Sequence, residues 1–123
     1  MNQQADTQRI AKLNDEFRRV AIDAAFGQAA PEQVPGKLMV TRGFAALPVT
    51  AQIAILHKVR LFEDFTAAND AYGEHDFGIV KQNDESFYWK IDYYDKALQY
   101  GSEDPADPEQ TTRVMTVMCR YEY

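Results

Sequence analysis

The sequence predicts a single α+β domain over residues 1–123, with three helices packed on a small, mainly antiparallel sheet in the order α-β-α-β-β-(β)-α. Apolar side chains recur at three- and four-residue steps in several segments, which is typical of amphipathic helices. Two other segments are rich in aromatic and β-branched residues and flank a short polar turn, which indicates a hairpin. A chain of 123 residues is long enough for one hydrophobic core, which the helices and the sheet are expected to share.

The first helix is predicted near the N terminus, where Asp6 or Thr7 can act as the N-cap and Gly27 is placed to end the helix. Its apolar stripe consists of Ile10, Leu13, Phe17, Val20 and Ala24. Residues 28–35 contain two prolines and small polar side chains and predict a loop. Residues 37–41 follow as a short predicted strand.

A second helix is predicted from Pro48, a residue that suits the first turn of a helix. Its stripe is Val49, Ile53, Leu56 and Val59, widened by Ile55 and Phe62. The width of this stripe predicts burial on two sides. Residues 63–75 show no period, so we expect a structured connection of about a dozen residues, long enough to suggest a role.

The hairpin is predicted from residues 77–82 and 86–94, which flank the turn-like residues 83–85. Side chains alternate between the two faces of a strand, so one set on the second run should face the core and the other should form a polar-aromatic surface. The predicted core set is Phe87, Trp89, Ile91 and Tyr93, and the predicted surface set is Tyr88, Lys90, Asp92 and Tyr94.

The end of the chain predicts a short third strand at residues 98–100, a polar loop at residues 101–107 and a last helix. Asp107 has the position of an N-cap, Pro108 follows it, and Gln110 completes a capping-box spacing. The predicted stripe of this helix is Val114, Val117, Met118 and Tyr121. Cys119 would lie in this helix as a buried and unreactive thiol.

Charge is distributed unevenly along the chain, whose net charge is -6. Residues 1–62 carry 5 acidic and 8 basic side chains, whereas residues 63–123 carry 14 acidic and 5 basic ones. An acidic surface repels phosphate backbones, so direct nucleic-acid binding is disfavoured and a basic protein partner is expected. A nucleic-acid-binding protein is one candidate for that partner, and the sequence does not determine the oligomeric state.

A cytoplasmic location is expected, because the N terminus lacks a signal-peptide pattern and no apolar run is long enough to span a membrane. The single cysteine excludes an internal disulfide, which suits a reducing compartment. No phosphate-binding loop, dinucleotide fingerprint, nucleophile elbow or two-histidine zinc motif is present. We therefore assign no cofactor, no metal ligand and no catalytic residue.

Polar side chains concentrate in residues 69–76, and Asp92 and Asp95 follow across the hairpin. Glu74, His75, Asp76 and Asp92 suggest an alternative function, a metal-dependent phosphoester hydrolase of nuclease type. Consecutive residues of an extended chain point in alternate directions, however, so turn capping is the simpler interpretation. The candidate binding residues are Asn69, Asp70, Tyr72, Glu74, His75, Asp76, Lys90, Asp92, Tyr94, Asp95, Glu103, Asp104 and Asp107.

Six motifs together resemble the pattern of a known family. They are LNDEFRR at 13–19, ND at 69–70, YGEHDFG at 72–78, WKIDYYD at 89–95, DPADP at 104–108 and RVMT at 113–116. With them, nearly the whole chain resembles the bacterial family known as domain of unknown function 3768. The resemblance implies a small bacterial protein of the kind met in plasmid- or phage-rich gene neighbourhoods. It implies no activity and no catalytic residue.

The leading functional hypothesis is a small acidic, non-enzymatic interaction protein that inhibits host defence, either restriction or CRISPR. It would act by protein binding or by nucleic-acid mimicry. Mimicry requires rows of surface acids, because duplex DNA carries one charge per ~1.7 Å of axis. The acids expected to supply part of such a row are Asp84, Glu85, Glu103, Asp104, Asp107 and Glu109.

Overall fold

The computed structural model describes residues 3–28 and 34–123; residues 29–33 of the predicted 28–35 loop lie outside these ranges. The α+β class is confirmed. In chain order the elements are α1 (Gln3–Ala25), β1 (Gly36–Val40), α2 (Arg42–Ala45), α3 (Val49–Arg60), β2 (Phe77–Gln82), β3 (Glu85–Tyr94), β4 (Thr112–Cys119) and a final 3-10 turn (Arg120–Glu122).

The four strands form one mixed sheet in the order β1-β4-β3-β2. Strand β3 is antiparallel to both of its neighbours, and β1 adds to β4 in parallel, with Leu38 opposite Met115. The predicted hairpin is confirmed. Its turn residues Asn83 and Asp84 have φ values of 52° and 64°, the left-handed pair that a two-residue hairpin turn requires.

The helices pack on one face of the sheet and enclose a single core. Trp89 lies at its centre, without exposure to solvent, and the ring of Phe62 meets it edge-on at 5.5 Å between centroids. A Cβ atom added at Gly78, the residue opposite Trp89 in β2, would overlap the indole ring. The predicted core face of β3 is confirmed: Phe87, Trp89 and Ile91 are buried and Tyr93 packs against them.

The prediction of a last helix is wrong, because residues 112–119 form the strand β4. The capping residues do make a turn, in which Asp107 accepts hydrogen bonds from the backbone of Glu109 and the side chain of Gln110. The turn does not continue into a helix. The residues after it are rich in threonine and valine, which suit a strand. They form β4, which pairs with β1 and β3, and alternate side chains such as Arg113 and Met115 are buried.

Three further predictions need correction. Helix α3 is buried through Ile55, Leu56 and Val59, but Val49 and Ile53 are 69% and 40% exposed, so it is not buried on two sides. Residues 98–100 form turns and bends rather than a strand, with one isolated bridge nearby between Tyr94 and Gly101. The N terminus of β1 is one residue earlier than predicted, and the short helix α2 was not predicted.

Trp89→Ala should destabilise the protein by ~3–5 kcal/mol, because it removes the largest fully buried side chain and leaves a cavity beneath Phe62. Denaturant unfolding followed by circular dichroism measures the change. Tyr100→Ala is the matched control, since that ring is largely exposed and its loss should change stability by no more than about 0.5 kcal/mol. A Trp89→Ala midpoint equal to wild type would contradict this account of the core.

Candidate functional site

A buried polar network joins α1 to the sheet and to two loops. Asn14, which has no solvent exposure, donates from Nδ2 to the Glu74 carbonyl at 2.9 Å and to the Tyr93 hydroxyl at 2.8 Å. The Tyr93 hydroxyl donates in turn to Glu74 Oε1 at 2.8 Å. Arg113 donates from Nε to Asn14 Oδ1 at 2.6 Å and from Nη2 to the Pro105 carbonyl at 2.7 Å. One asparagine therefore connects elements that lie far apart in sequence.

Burial dominates the electrostatics of this network. It raises the pKa of Tyr93, an effect that the hydrogen bond from Asn14 opposes and the neighbouring Glu74 reinforces. Burial also lowers the pKa of Arg113, against the raising influence of Tyr93 and Glu74. The Arg113 guanidinium lies 5.2 Å from the centroid of the Tyr93 ring, a cation–π contact. The hydrogen bonds between these buried and half-buried groups make the network a rigid support between α1, the sheet and the two loops.

His75 is fixed from three directions. Its Nδ1 lies 3.0 Å from both carboxylate oxygens of Asp15 in α1. Its backbone N–H donates to Asp70 at 3.2 Å, and its ring stacks on Phe65 with centroids 3.8 Å apart. The backbone of His75 has φ 58°, a left-handed value that costs energy for a residue with a side chain. These contacts hold the 61–76 connection against α1.

Arg18 lies beside this histidine and is almost fully buried. It donates from Nη1 to Asp15 at 3.2 Å and from Nη2 to the Phe62 carbonyl at 3.0 Å, and its guanidinium carbon lies 4.8 Å from the centroid of the Trp89 ring. Burial lowers the pKa of Arg18, and Asp15 opposes that shift. The Arg18 Nε has no hydrogen-bond partner within residues 3–28 and 34–123.

A cleft of about 270 Å³ opens next to Arg18, on the helix side of the sheet. We call it the arginine cleft. It is lined by Asp15, Arg18, Arg19, Arg60, Leu61, Phe62, Glu63, Phe65 and His75. Arg60 is paired with Asp23 through two contacts of 2.7 and 3.2 Å. Both ion pairs, Arg18 with Asp15 and Arg60 with Asp23, are formed by residues of α1 and α3. The cleft therefore has a fixed wall formed by α1 and the end of α3.

The predicted binding residues fall into three separate groups. The first lies on the 61–76 connection, where Asn69 bonds the Thr66 amide and the Asp64 carbonyl, Tyr72 is exposed, and Asp70 and Glu74 accept hydrogen bonds. In the second group, Lys90 and Asp92 pair at 3.0 Å on the sheet beside Tyr94. The third occupies the 95–111 loop. There Asp95, Asp104 and Asp107 accept backbone hydrogen bonds in turns, while Glu103 is exposed.

Asp76 is half-buried at the point where the connection enters β2. Its backbone carbonyl accepts a hydrogen bond from the Ile91 amide at 2.8 Å. Burial raises the pKa of the Asp76 carboxyl, and Glu74 adds to that shift, followed by smaller influences from Asp70 and Asp92. Within the part of the chain that the structure describes, no group of three or more His, Cys, Asp and Glu side chains is arranged to hold a metal ion.

The face of the sheet that the helices leave uncovered is the second candidate site, and we call it the open sheet face. The strand register identifies the residues of this face. Each of them is paired with another residue of the face on the neighbouring strand, and along its own strand it alternates with residues that face the core. It consists of Lys37, Met39, Phe77, Ile79, Lys81, Ser86, Tyr88, Lys90, Asp92, Tyr94, Thr112, Val114, Thr116 and Met118, and of these Met118 is buried. The predicted polar-aromatic set of β3 thus lies on the face opposite the core.

Two features shape the open sheet face. At one end, the rings of Phe77, Tyr88 and Tyr123 meet edge-on, with centroid distances between 5.1 and 5.7 Å. At the other, a shallow groove of about 320 Å³ is lined by Lys37, Met39, Tyr94, Leu98 and Val114. Both features combine apolar surface with polar groups at their edges, which is the composition of binding surfaces.

Sequence reasoning did not assign Asn14, Asp15, Arg18 or Arg113 to a site. A signal for them was present. Asn14 and Arg18 follow Ile10 at four-residue steps, so two polar residues stand in the apolar stripe of α1. Arg113 alternates with Met115 and Val117 at inward positions of β4, but it was placed on a predicted helix, which concealed the pattern. Cys119 likewise ends a strand, where burial raises the pKa of its thiol.

A family model described as "Protein of unknown function (DUF3768)" matches residues 40–122. The match covers the sheet from β2 to β4 together with α2 and α3, and it begins after α1. No curated protein and no solved structure gives a significant match. No helix in the described ranges is both long and apolar enough to cross a membrane.

His75→Asn should lower stability by ~1–2 kcal/mol and leave the fold intact. Asparagine tolerates the left-handed backbone and keeps one side-chain donor for Asp15, but it loses the stacking on Phe65. Denaturant unfolding measures the effect, with His57→Asn as the control, because the exposed His57 also stacks on a ring, that of Phe26, but contacts no carboxylate at hydrogen-bond distance in the described ranges. Unchanged stability in His75→Asn would show that this contact does not hold the connection in place.

Asp76→Asn should increase stability at pH 7. The pKa of Asp76 is raised above its ordinary value of 3.8, so the unfolded chain loses this proton first and the stability of wild type falls as pH rises from 3.8 through the raised pKa. Below pH 3.8 both states are protonated and the advantage of the variant should disappear. Urea unfolding at pH 7 and at pH 3.5, with the exposed Glu103→Gln as control, tests the sign; equal stability at pH 7 would refute it.

Proposed function

The chain belongs to the DUF3768 family of proteins of unknown function, and from that premise we propose that it is a non-enzymatic interaction protein that binds a basic, nucleic-acid-binding protein. The open sheet face would be the contact surface. The observation that carries this proposal is that, within the described ranges, none of α1, α2 and α3 covers this face of the sheet, which displays large apolar side chains. Met39 and Ile79 are 51% and 44% exposed there, and Tyr123, which packs on Phe77 and Tyr88 of the same face, is 73% exposed.

Exposed apolar surface with polar edges favours association with another protein, because covering it releases ordered water. The two edge strands, β1 and β2, carry Lys37 and Lys81 on this face. Lysine on an edge strand opposes the addition of a further strand. A partner is therefore expected to cover the face with side chains rather than extend the sheet.

The expected charge of the partner follows from the surroundings of the face. Residues 63–123 carry 14 acidic side chains, and exposed acids lie at both ends of β3. Asp84 and Glu85 lie at the hairpin turn, and Glu103, Asp104 and Glu109 lie in the 95–111 loop that follows β3. Acidic groups at the rim of an apolar face favour a basic partner and increase its association rate.

The spacing of these acids supports protein binding rather than mimicry of duplex DNA. The two acidic groups are separated by the ten residues of β3, a distance of about 33 Å. Between them the face presents Lys37, Lys81 and Lys90, where a DNA mimic would need closely spaced negative charge. Asp104 and Asp107 are also engaged in turns.

The finer proposal is that the partner is a restriction or CRISPR effector, whose nucleic-acid channel is basic because it neutralises phosphates. The resemblance to a family met in plasmid- and phage-rich neighbourhoods motivates this choice. Inhibition would follow if the protein covers the basic channel or its rim. No catalytic residue of this chain is required.

Phage plating on hosts that carry defined restriction or CRISPR systems tests the proposal. Expression of the protein should restore plating on at least one of these systems, and the purified effector should bind it more weakly as salt screens the charges. Met39→Ser with Tyr94→Ala should abolish both effects, because it removes two walls of the groove. Tyr72→Ala, which removes an exposed ring elsewhere, should abolish neither.

Failure to restore plating on every system in the panel would overturn the defence proposal. Restoration that survives the Met39→Ser, Tyr94→Ala change would keep the activity but reject the open sheet face as the contact. Circular dichroism and a cooperative unfolding transition for the double variant establish that it is folded before either conclusion is drawn.

A further inference from the structure

We propose that the arginine cleft binds a small molecule through an oxyanion, either a phosphate or a carboxylate group. This site goes beyond the proposed interaction function, because it lies on the helix side of the sheet and shares no residue with the open sheet face. Its volume of about 270 Å³ is at the lower end for ligand pockets, which favours a small ligand.

The cationic groups of the cleft argue for an anion. Arg18, Arg19 and Arg60 line it together, on a chain whose net charge is -6. Arg60 is paired with Asp23. Arg18 is paired with Asp15, a carboxylate that also contacts His75. Within the described ranges the cleft cation without a carboxylate partner is therefore Arg19, and Arg18 adds a second guanidinium beside it. Guanidinium groups present planar pairs of N–H donors that match the oxygens of phosphate and carboxylate.

Arg18 is only partly satisfied by the protein. Its Nη1 and Nη2 contact Asp15 and the Phe62 carbonyl, whereas its buried Nε has no partner in the described ranges. Asp15 is shared, because its carboxylate also contacts His75 at 3.0 Å. A buried cation that shares its counter-charge gains from a further acceptor, since desolvation has already removed the competing water.

The other walls of the cleft limit the ligand to a small molecule. Phe65 and His75, stacked in parallel, form a flat wall against which the body of a ligand can pack. Glu63, an exposed acid that also lines the cleft, and the net charge of -6 repel extended polyanions such as nucleic acids. The expected ligand is therefore a compact molecule that carries one oxyanion group and an apolar or planar body.

Nuclear magnetic resonance titration of the ¹⁵N-labelled full chain tests the site, with sodium phosphate and sodium acetate as separate probes at constant ionic strength. At least one probe should give saturable shifts in the amides of residues 61–65 and at the Arg19 side chain. Arg19→Gln should weaken that binding about tenfold, because it removes a charge-assisted hydrogen bond. The anion that binds more tightly identifies the ligand class.

Arg42→Gln is the matched control, because it removes the same charge from an exposed position outside the cleft. It should leave the binding curve unchanged. Arg19 is also exposed, so its variant should keep the dispersed spectrum of the folded chain. The proposal fails if neither anion saturates these signals, or if Arg42→Gln weakens binding as much as Arg19→Gln does. Both outcomes are independent of the phage-plating result.

Discussion

The hydrogen bonds of Asn14 are the constraint on which the arrangement of the other elements depends. An asparagine without solvent exposure must find partners inside the protein, because an unsatisfied buried amide costs about 1–3 kcal/mol. Asn14 finds them on the 61–76 connection, on β3 and on β4, through Glu74, Tyr93 and Arg113. Helix α1 is thereby fixed in both position and rotation against the sheet. Arg113 connects this network to the 95–111 loop, because its Nη2 donates a hydrogen bond to the Pro105 carbonyl.

This requirement explains why two long segments without helix or strand keep defined shapes. The 61–76 connection, which joins α3 to β2, has little backbone pairing of its own. Phe65 packs against Trp89 in the core, Asn69 accepts from the Thr66 amide within the connection, and His75 contacts Asp15 in α1. The 95–111 loop is organised by Asp104 and Asp107, which each accept a hydrogen bond from the amide two residues ahead, and by Thr111, which donates to the Asp104 carbonyl. Much of the acidic excess therefore has a structural use, and only the exposed part is available to a partner.

Local patterns in the sequence were sufficient for the hairpin and its core face, because alternation at Phe87, Trp89 and Ile91 and the Asn83-Asp84 turn act over a few residues. They were not sufficient for β4. A strong N-cap at Asp107 indicated a helix, but whether a turn continues depends on pairing with β3 and β1, which lies outside the local sequence. The candidate sites were partly predicted. His75, Lys90 and Tyr94 were named, whereas Asp15 and Arg18 were missed, because His75 and Asp15 are 60 residues apart and meet only in the folded chain.

The two proposed sites follow from how the fold separates charge. The N-terminal half of the chain has an excess of bases, and three of its arginines line the cleft on the α1 side of the core, where the burial of Arg18 strengthens its electrostatic contacts. The C-terminal half has an excess of acids, and those at the hairpin turn and on the 95–111 loop, at the two ends of β3, include exposed ones. Charge in the arginine cleft selects a small ligand by geometry, because each donor must be matched. Charge at the rim of an open face instead selects a large partner by its overall potential, since screening by solvent weakens any single pair.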